Sequence, residues 1–214
     1  MFQRVIPALI LVLLLLFGSS CMGTNSAWST STRADVSTMQ MHPGEYVPDL
    51  PINSAPFAKV QASWKQTVDQ PYVYLEHHGS YTRTGSLIPT LQRELMAQGL
   101  EASGPPFALY YDDPADTAVG DLVSRACFPI SAARSPLSPL RYDMLRSVTV
   151  AYAFVSGAYP DAPRVYPGIY AFMKKMHWVD NGPIREVYLV APQPGVSMNE
   201  LICEVQIPSA PEQH

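Results

Sequence analysis

The sequence predicts an α+β domain made of two β-α-β-β modules in tandem, with an antiparallel sheet, helices on one face of the sheet and a concave ligand groove on the other. Three observations support this fold class: an internal repeat, one helical apolar stripe in each copy, and short apolar runs that follow Gly-Pro turns. Together they cover residues 57–211, an ordinary length for a single domain.

The internal repeat relates residues 73–114 to residues 151–192, which align without a gap at an offset of 78 residues. The coincidences all fall at turn or aromatic positions and are too many at one offset to be chance. They are Gly79 with Gly157, Tyr81 with Tyr159, Gly104-Pro105 with Gly182-Pro183, Tyr110 with Tyr188, and Pro114 with Pro192. We interpret the domain as a tandem duplication, with a first module at 57–130, a linker at 131–145 and a second module at 146–208.

Each module is predicted to place one helix between its first two strands. An early proline, tolerated only in a first turn, sets the helix starts near Pro89 and Pro167. The apolar stripes are Leu87, Leu91 and Leu95 with Ile88 alongside, and Val165, Ile169, Phe172 and Met176. The predicted strands are 72–77, 107–112 and 121–128 in the first module, and 148–155, 185–190 and 201–207 in the second.

The N-terminus has the form of an export signal. Arg4 precedes an apolar run at 5–17, shorter than the about 20 residues that span a membrane, and small residues at 18–20 lead to Cys21. A Cys in this place resembles a bacterial lipobox, although Gly18 stands where a Leu-like residue is usual. We therefore expect residues 1–20 to be a lipoprotein signal peptide and Cys21 to carry the lipid. The alternatives are an ordinary signal peptide cut nearby and a retained anchor helix.

The composition extends this prediction to the segment that follows. Residues 21–56 are rich in Ser, Thr, Pro and Gly without apolar periodicity, so they are predicted to form a disordered tether. The chain is then a lipid-anchored protein of the bacterial cell envelope, on the periplasmic side. The net charge of −4, without a basic run, excludes nucleic acid as a partner. Cys127 and Cys203 could form a disulfide or remain two buried thiols.

The order and duplication of four short motifs resemble a known family, the GyrI-like small-molecule-binding domain. The motifs are Gly-x-Tyr after the first strand, Gly-Pro before the second, the acid and tyrosine of "EVY" at 186–188, and a proline after that strand. The resemblance covers residues 57–211. It implies an aromatic-lined pocket for amphipathic, often cationic, ligands with Glu186 at its floor, and some members are hydrolases of strained-ring compounds. No helix-turn-helix precedes the domain, which disfavours a transcription regulator or a gyrase inhibitor.

Strand alternation is used to predict where Glu186 points. Glu186 shares one face with Tyr188, whereas the bulky residues Val187 and Leu189 share the other face with Arg185 and are expected to pack on the helices. Glu186 would then face the groove. The predicted ligand contacts are Glu186, Tyr188, Tyr110, Tyr81, Tyr159, Phe154, Tyr170 and Trp178, with Tyr166 or Tyr170 over the pocket mouth. The alternative is a salt bridge or hydrogen bond of Glu186 within the sheet, to Arg185 or Arg164.

Other polar motifs are predicted to have no site of their own. His77 and His78 are adjacent on a strand, so their side chains point to opposite faces and cannot easily share a metal. Asp112 and Asp113 before a proline are typical of a turn. We therefore expect no metal and no cofactor. Haem ligation by a single His stays an alternative, because the family resemblance extends distantly to haem-binding proteins of similar topology.

These predictions combine into a binding protein that holds a small amphipathic or cationic organic molecule in an aromatic cleft, with Glu186 as counter-ion. Each tyrosine ring face would add a cation–π attraction of about 0.5–2 kcal/mol. Two alternatives stay open. One is a hydrolase of a small electrophilic, strained-ring compound with Glu186 as general acid–base, and the other is a structural or partner-binding envelope lipoprotein. No nucleophile is evident in the sequence, so binding is favoured over turnover.

Overall fold

Short apolar segments bounded by Gly, Pro and Asp turns form the strands of one sheet. The computed structural model describes residues 48–192 and 194–213. Within that part of the chain, the strands are β1 (Ile52–Asn53), β2 (Ser63–Gln66), β3 (Gln70–His78), β4 (Phe107–Tyr110), β5 (Val123–Pro129), β6 (Arg141–Leu145), β7 (Thr149–Ser156), β8 (Trp178–Asp180), β9 (Ile184–Val190) and β10 (Ile202–Pro211). Val, Tyr, Phe and Ile dominate the long strands, as their preference for a pleated, half-buried surface predicts.

Two α-helices follow β3 and β7, each entered through a 3-10 helix. The 3-10 segments are Tyr81–Leu87 and Tyr159–Val165, and they continue directly into α1 (Ile88–Ala97) and α2 (Tyr166–Lys175). A proline lies in the first turn of both α-helices, where its missing N–H costs nothing. We call residues 70–129 the first half and residues 149–211 the second half. The 3-10 helices begin at 81 and 159 and the α-helices at 88 and 166, so each helical segment of the second half begins 78 residues after its counterpart in the first.

The strands form a mixed sheet in which the two halves meet at the centre. The order is β1-β7-β10-β9-β4-β5-β3-β6, with β2 also pairing with β7 and β8 with β10. Strands β9 and β4 join the halves as antiparallel neighbours, whereas β1 runs parallel to β7. The predicted α+β class, with one helix per half on a largely antiparallel sheet, agrees with this architecture.

The helices lie on the same face of the sheet as Glu186, so the predicted separation of helices and groove on opposite faces is wrong. Residues that pair directly across neighbouring strands point to one face. One such row runs across six strands through Leu75, Ala126, Ala108, Glu186, Val205 and Ala153. Leu91 and Leu95 of α1 pack on the Ala126 end of this row, and Ile169 and Met173 of α2 pack on the Ala153 end. We call this surface the helix face.

Side-chain size explains the error. A helix approaches a sheet closely where the sheet presents small residues, and Ala108, Ala126 and Ala153 provide that room on the helix face. The bulky residues that were expected to receive the helices instead pack among themselves on the other surface, which we call the opposite face. Its clusters include Tyr72, Tyr74, Phe107, Leu109 and Val187 on one side, and Tyr152, Phe154, Leu189 and Ile202 on the other.

Two segments predicted to lack regular structure contain strands. Ile52 and Asn53, placed in the tether by composition, form β1, and the Asn53 side chain bonds the backbone of Gln61 and Phe154. The predicted linker at 131–145 ends in β6, which pairs with β3. In both cases cross-strand hydrogen bonds order residues whose local sequence gives no periodic signal. The predicted signal peptide, Cys21 and the part of the predicted tether at 21–47 lie outside the described residues.

The two cysteines among the described residues, Cys127 and Cys203, are free thiols. Cys127 and Cys203 are both fully buried, and burial raises the pKa of each thiol well above its usual range. Cys203 lies on the helix face and Cys127 on the opposite face, so the disulfide alternative does not hold. Among the described residues, no helix is long and apolar enough to cross a membrane.

Candidate ligand-binding site

Glu186 lies at the centre of the helix face, where the two halves of the sheet meet. Its residue surface is 3% exposed, and Ala108 of β4 and Val205 of β10 are its cross-strand neighbours. A carboxylate in such surroundings requires hydrogen-bond donors, because burial of an unpaired charge is costly. The donors come from tyrosines rather than from a basic residue.

Three tyrosine hydroxyls surround the carboxylate. The Tyr166 hydroxyl donates to Oε1 at 2.7 Å, while the hydroxyls of Tyr110 and Tyr188 lie 3.2 and 3.3 Å from Oε2. The hydroxyls of Tyr110 and Tyr188 are also 3.2 Å from each other. The alternative of an ion pair with arginine does not hold, since Arg164 pairs with Asp161 and Arg185 points to the opposite face. The site is a single carboxylate enclosed by phenols.

Electrostatics distinguishes this carboxylate from surface acids. Burial raises the pKa of Glu186, and the hydrogen bonds from Tyr166, Tyr110 and Tyr188 lower it only in part. Burial, with the nearby Glu186 charge, also raises the pKa of the Tyr110 and Tyr166 phenols well above their usual range. The phenols therefore stay protonated and serve as hydrogen-bond donors. The carboxyl group holds its proton to a higher pH than an exposed glutamate does.

A second pair of tyrosines packs against the first with tilted rings. Tyr81 lies 4.8 Å from Tyr110 between ring centroids, and Tyr159 lies 4.5 Å from Tyr188. The hydroxyls of this outer pair bond the ends of the strands: Tyr81 donates to the backbone oxygen of Asp112, and Tyr159 to that of Val190. Both partners lie 31 residues along the chain from their tyrosine. The outer tyrosines thus fasten the 3-10 helices to the sheet and place their rings against those of Tyr110 and Tyr188, which contact the carboxylate.

Tyr166 is the first residue of α2, and contacts with residues 57–60 hold this end of the helix in place. A Cβ added to Gly168, in the first turn of α2, would meet the Cβ of Val60 at 2.3 Å, so only glycine permits this close approach. Phe57 packs in the same cluster and receives the Arg164 guanidinium over its ring. Residues 57–60 therefore help to fix the position of the Tyr166 hydroxyl.

The structure brings together five of the predicted site residues: Glu186, Tyr188, Tyr110, Tyr81 and Tyr159. Of the two tyrosines expected at the pocket mouth, it is Tyr166 that reaches the carboxylate, and it lies on the same strip of α2 as the buried Ile169 and Met173. Helical spacing from these two residues could have selected it. Met176, placed in the apolar stripe, is 40% exposed, because the stripe passes through Met173 instead.

Three predicted contacts lie elsewhere. Phe154 is on the opposite face, where it pairs with Glu204 across β7 and β10, so the prediction that it lines the site is wrong. Tyr170 and Trp178 line a separate surface pocket between the far side of α2 and β8, together with Lys174 and His177. Tyr170 is one residue past the buried Ile169, which turns its side chain outward.

The first half carries the same inner and outer tyrosines but lacks the acid and its strongest donor. Ala108 stands where the second half has Glu186, and Ile88 stands where it has Tyr166. Ile88 packs on the same core cluster as Tyr110 and Tyr166. The surroundings of Glu186 are therefore polar on the side of the second half and apolar on the side of the first.

The other polar motifs form local structure. His78 lies 3.5 Å from Glu76 on one face, whereas the His77 ring bonds the backbone oxygen of Ser80. The Asp112 carboxylate accepts the backbone N–H of Val123, and that of Asp113 accepts the N–H of Ala115, which confirms the predicted turn. Within the described part of the chain, no group of three or more His, Cys, Asp or Glu side chains could hold a metal ion.

Comparison with known proteins identifies the family. The family model of the GyrI-like small-molecule-binding domain matches residues 63–210. The EcmrR C-terminal domain is similar in structure, with a TM-score of 0.64 and 16% identity over 72% of this chain and 99% of that domain. The EcmrR chain in a complex with DNA gives a TM-score of 0.63 and 16% identity over 71% of this chain, and the match spans only 58% of that EcmrR chain.

A hydrolase from Listeria innocua is also similar, with a TM-score of 0.52 and 9% identity over 71% of this chain and 93% of that one. At these identities the structural matches establish the fold alone. No curated protein matches the chain in sequence. The family model covers more than half of the chain and agrees with the motifs that surround Glu186, so the chain belongs to the family of GyrI-like small-molecule-binding domains.

Proposed function

We propose that the protein binds a small amphipathic organic cation beside Glu186, which acts as the counter-ion of the ligand. The observation that carries this proposal is a buried carboxylate that has only neutral hydrogen-bond donors around it. No basic side chain neutralises it among the described residues. A lipophilic cation would supply the missing charge, and the rings of Tyr81 and Tyr159 would offer it aromatic faces.

The site has to open for such a ligand. The carboxylate is covered by hydroxyls, and the closest of them belongs to Tyr166, which is only half-buried and stands at the first position of α2. Rotation of this one side chain would uncover Oε1 while Tyr110 and Tyr188 still hold Oε2. The cation would thus replace one hydrogen bond from a neutral phenol by an ion pair in a site with little water, where Coulomb attraction is stronger than at the surface.

The test is binding of aryl quaternary ammonium ions, starting with benzyltrimethylammonium, against the uncharged carbon analogue of each. We expect the wild type to prefer the cation, and Glu186→Gln to weaken its binding about 30-fold or more, as loss of one partner of a buried charge pair does. The matched control is Glu204→Gln, a buried carboxylate on the opposite face that pairs with Lys65 at 2.5 Å. Equal affinity in wild type and Glu186→Gln would refute the counter-ion role.

The raised pKa of Glu186 predicts a pH dependence with a defined sign. The neutral carboxyl cannot act as counter-ion, so cation affinity should rise with pH until Glu186 is fully ionised, and binding should release a proton. Without ligand, the folded state holds this proton more tightly than the unfolded state. The stability that Glu186 contributes is therefore greatest below the unfolded pKa and falls as pH rises through the folded pKa. Calorimetry in two buffers of different ionisation enthalpy would detect the proton, and Glu186→Gln should abolish both effects.

We further propose that the domain arose by tandem duplication and that only the second copy acquired the acid. The equal spacing of the 3-10 and α-helices, at 78 residues, supports this origin. So does the equivalence of the Tyr81–Asp112 and Tyr159–Val190 hydrogen bonds. The ligand contacts proposed for Tyr188, Tyr110, Tyr81 and Tyr159 rest on this pseudosymmetric arrangement around Glu186.

A hydrolase is the second candidate, because a buried carboxyl group with a raised pKa holds its proton more tightly than an exposed glutamate and could exchange it with a bound electrophile. A strained-ring substrate would be opened by water, with Glu186 as general acid–base. Turnover of a cyclopropane-type substrate that disappears in Glu186→Gln would establish this activity. Binding is favoured, since the groups that touch Glu186 among the described residues are three tyrosine hydroxyls, and the raised pKa of each phenol keeps it protonated and a poor nucleophile.

The cell-envelope location is proposed from the sequence at residues 1–21 alone. The apolar run at 5–17 and Cys21 support export and lipid attachment. Metabolic labelling with a fatty acid should mark the wild type and not Cys21→Ala. Label on both would contradict attachment at Cys21. Release of the unlabelled variant from the membrane fraction would complete the test.

A further inference from the structure

Strand β9 carries Glu186 on the helix face and Arg185 on the opposite face. The Glu186 carboxylate accepts three hydrogen bonds, whereas Arg185 has a buried nitrogen without one among the described residues. Arg185 was expected to be solvated or paired with a helix. It is 7% exposed, and its cross-strand neighbours are Leu109 and Gln206. Among the described residues, its Nε has no hydrogen-bond partner. A buried guanidinium nitrogen without an acceptor is rare, because the lost hydration is not recovered.

A second arginine in the same cross-strand row, Arg125, has ion-pair partners for its guanidinium. Arg125 pairs with Leu109, which in turn pairs with Arg185. Arg125 bonds the carboxylates of Glu76 at 3.2 Å and Asp143 at 2.9 Å, and it stacks 4.1 Å from the Tyr74 ring. The charge of Arg125 is thus compensated within the chain. Within residues 48–192 and 194–213, the charge of Arg185 has no such partner, and burial lowers the pKa of Arg185.

The surroundings of Arg185 indicate what could satisfy it. The nearby carboxylates are already engaged: Glu204 with Lys65 and Gln206, and Glu76 and Asp143 with Arg125. The remaining neighbours are apolar or aromatic, among them Leu109 and the phenols of Tyr72 and Tyr111, which lie close enough to act on its charge. Tyr111 is 40% exposed and connects this region to solvent.

We propose that the opposite face holds a second binding site, centred on the Arg185 guanidinium, for a small aromatic carboxylate. A carboxylate matches the planar donor fork of arginine and carries the single negative charge that one free guanidinium compensates. A doubly charged phosphate would need a second free cation, and the neighbouring Arg125 and Lys65 are both paired. The tyrosine rings would cover the apolar part of the ligand. This site is separate from the cation site at Glu186, on the other side of one strand.

Thermal unfolding of the full chain with benzoate, against its neutral counterpart benzamide at equal ionic strength, tests this proposal. Benzoate should raise the Tm of the wild type in a saturable manner, and benzamide should not. Arg185→Met keeps the length and apolar stem of the side chain, and its binding of benzoate should be at least about tenfold weaker. Its ligand-free Tm should equal or exceed that of the wild type, since an unpaired buried charge is removed.

Three control variants make the outcome decisive. Arg146→Met removes an exposed arginine and should respond to benzoate as the wild type does, and so should Glu186→Gln. Arg185→Lys keeps the charge without the fork and should bind about tenfold more weakly. The proposal is overturned if benzoate leaves the wild-type Tm unchanged, if Arg185→Met responds equally, or if Arg185→Met lowers the ligand-free Tm. It is also overturned if sedimentation shows a dimer that Arg185→Met dissociates, since a second copy then supplies the carboxylate.

Discussion

The first and second halves of the sheet each contribute two tyrosines to one four-tyrosine frame, and they differ in the residues that the frame encloses. Tyr81 packs against Tyr110 in one half, and Tyr159 packs against Tyr188 in the other, with ring centroids 4.8 and 4.5 Å apart. Inside the frame, the first half has Ala108 and Ile88, whereas the second half has Glu186 and Tyr166. The shared residues fix the geometry, and the residues that differ supply the charge.

The comparison separates two kinds of position in the repeat: positions at which both halves carry the same residue, and positions at which only one half carries it. A residue present in both halves, such as Tyr81 or Tyr159, holds a 3-10 helix against a strand end. A residue present in one half only, such as Glu186, costs stability and needs another reason to be there. The ligand site is therefore proposed at the residues in which the two halves differ, rather than at those that they share.

Placing the acid in the first half as well should produce the largest effect. Ala108 is fully buried and pairs directly with Glu186, so Ala108→Glu sets two carboxylates side by side without a Tyr166 equivalent. We expect a loss of about 3–5 kcal/mol in the free energy of unfolding, as for an unpaired buried charge. Urea denaturation at neutral pH measures it.

Two further variants show whether the cost arises from the missing donor or from like-charge repulsion. Ile88→Tyr, added to Ala108→Glu, supplies a hydroxyl where the second half has one and should recover part of the loss. Ala108→Glu in the Glu186→Gln background should cost less than in the wild type, because one charge remains. Equal costs in the two backgrounds would show that the carboxylates do not interact, which would place the new side chain away from Glu186.

Removing the Tyr166 hydroxyl should have the next largest effect. Tyr166→Phe deprives the Glu186 Oε1 of its 2.7 Å hydrogen bond, and a hydrogen bond to a charged group contributes about 1.5–3 kcal/mol. The loss should be greatest at a pH where Glu186 is ionised and small in the Glu186→Gln background. Tyr170→Phe, one turn along α2 and 40% exposed, is the matched control and should stay within about 0.5 kcal/mol of the wild type. A similar loss in both variants would mean that Tyr166 acts through packing alone.

The sequence was sufficient to predict the helix starts, most strand bounds and the inner members of the site, because these follow from local periodicity, proline positions and the repeat. It was not sufficient to choose the face on which the helices pack. That choice depends on small residues from separate strands, such as Ala108 and Ala153, meeting in one cross-strand row. Strand β1 and the contact between Val60 and Gly168 were missed for the same reason, since both are made between distant parts of the chain.

The smallest effects should come from the outer tyrosines, where the two halves are expected to behave alike. Tyr81→Phe loses hydrogen bonds with the backbone of Asp112, and Tyr159→Phe loses one with the backbone of Val190. Each should lower the free energy of unfolding by about 1–2 kcal/mol, since a neutral hydrogen bond contributes about 1 kcal/mol and the two hydroxyls make two such backbone bonds and one, respectively. Because both variants keep the aromatic ring, the affinity for an aryl quaternary ammonium ion should change less than twofold. A much larger loss of affinity in Tyr159→Phe than in Tyr81→Phe would show that the asymmetry between the halves extends beyond Glu186 and Tyr166 to the frame itself.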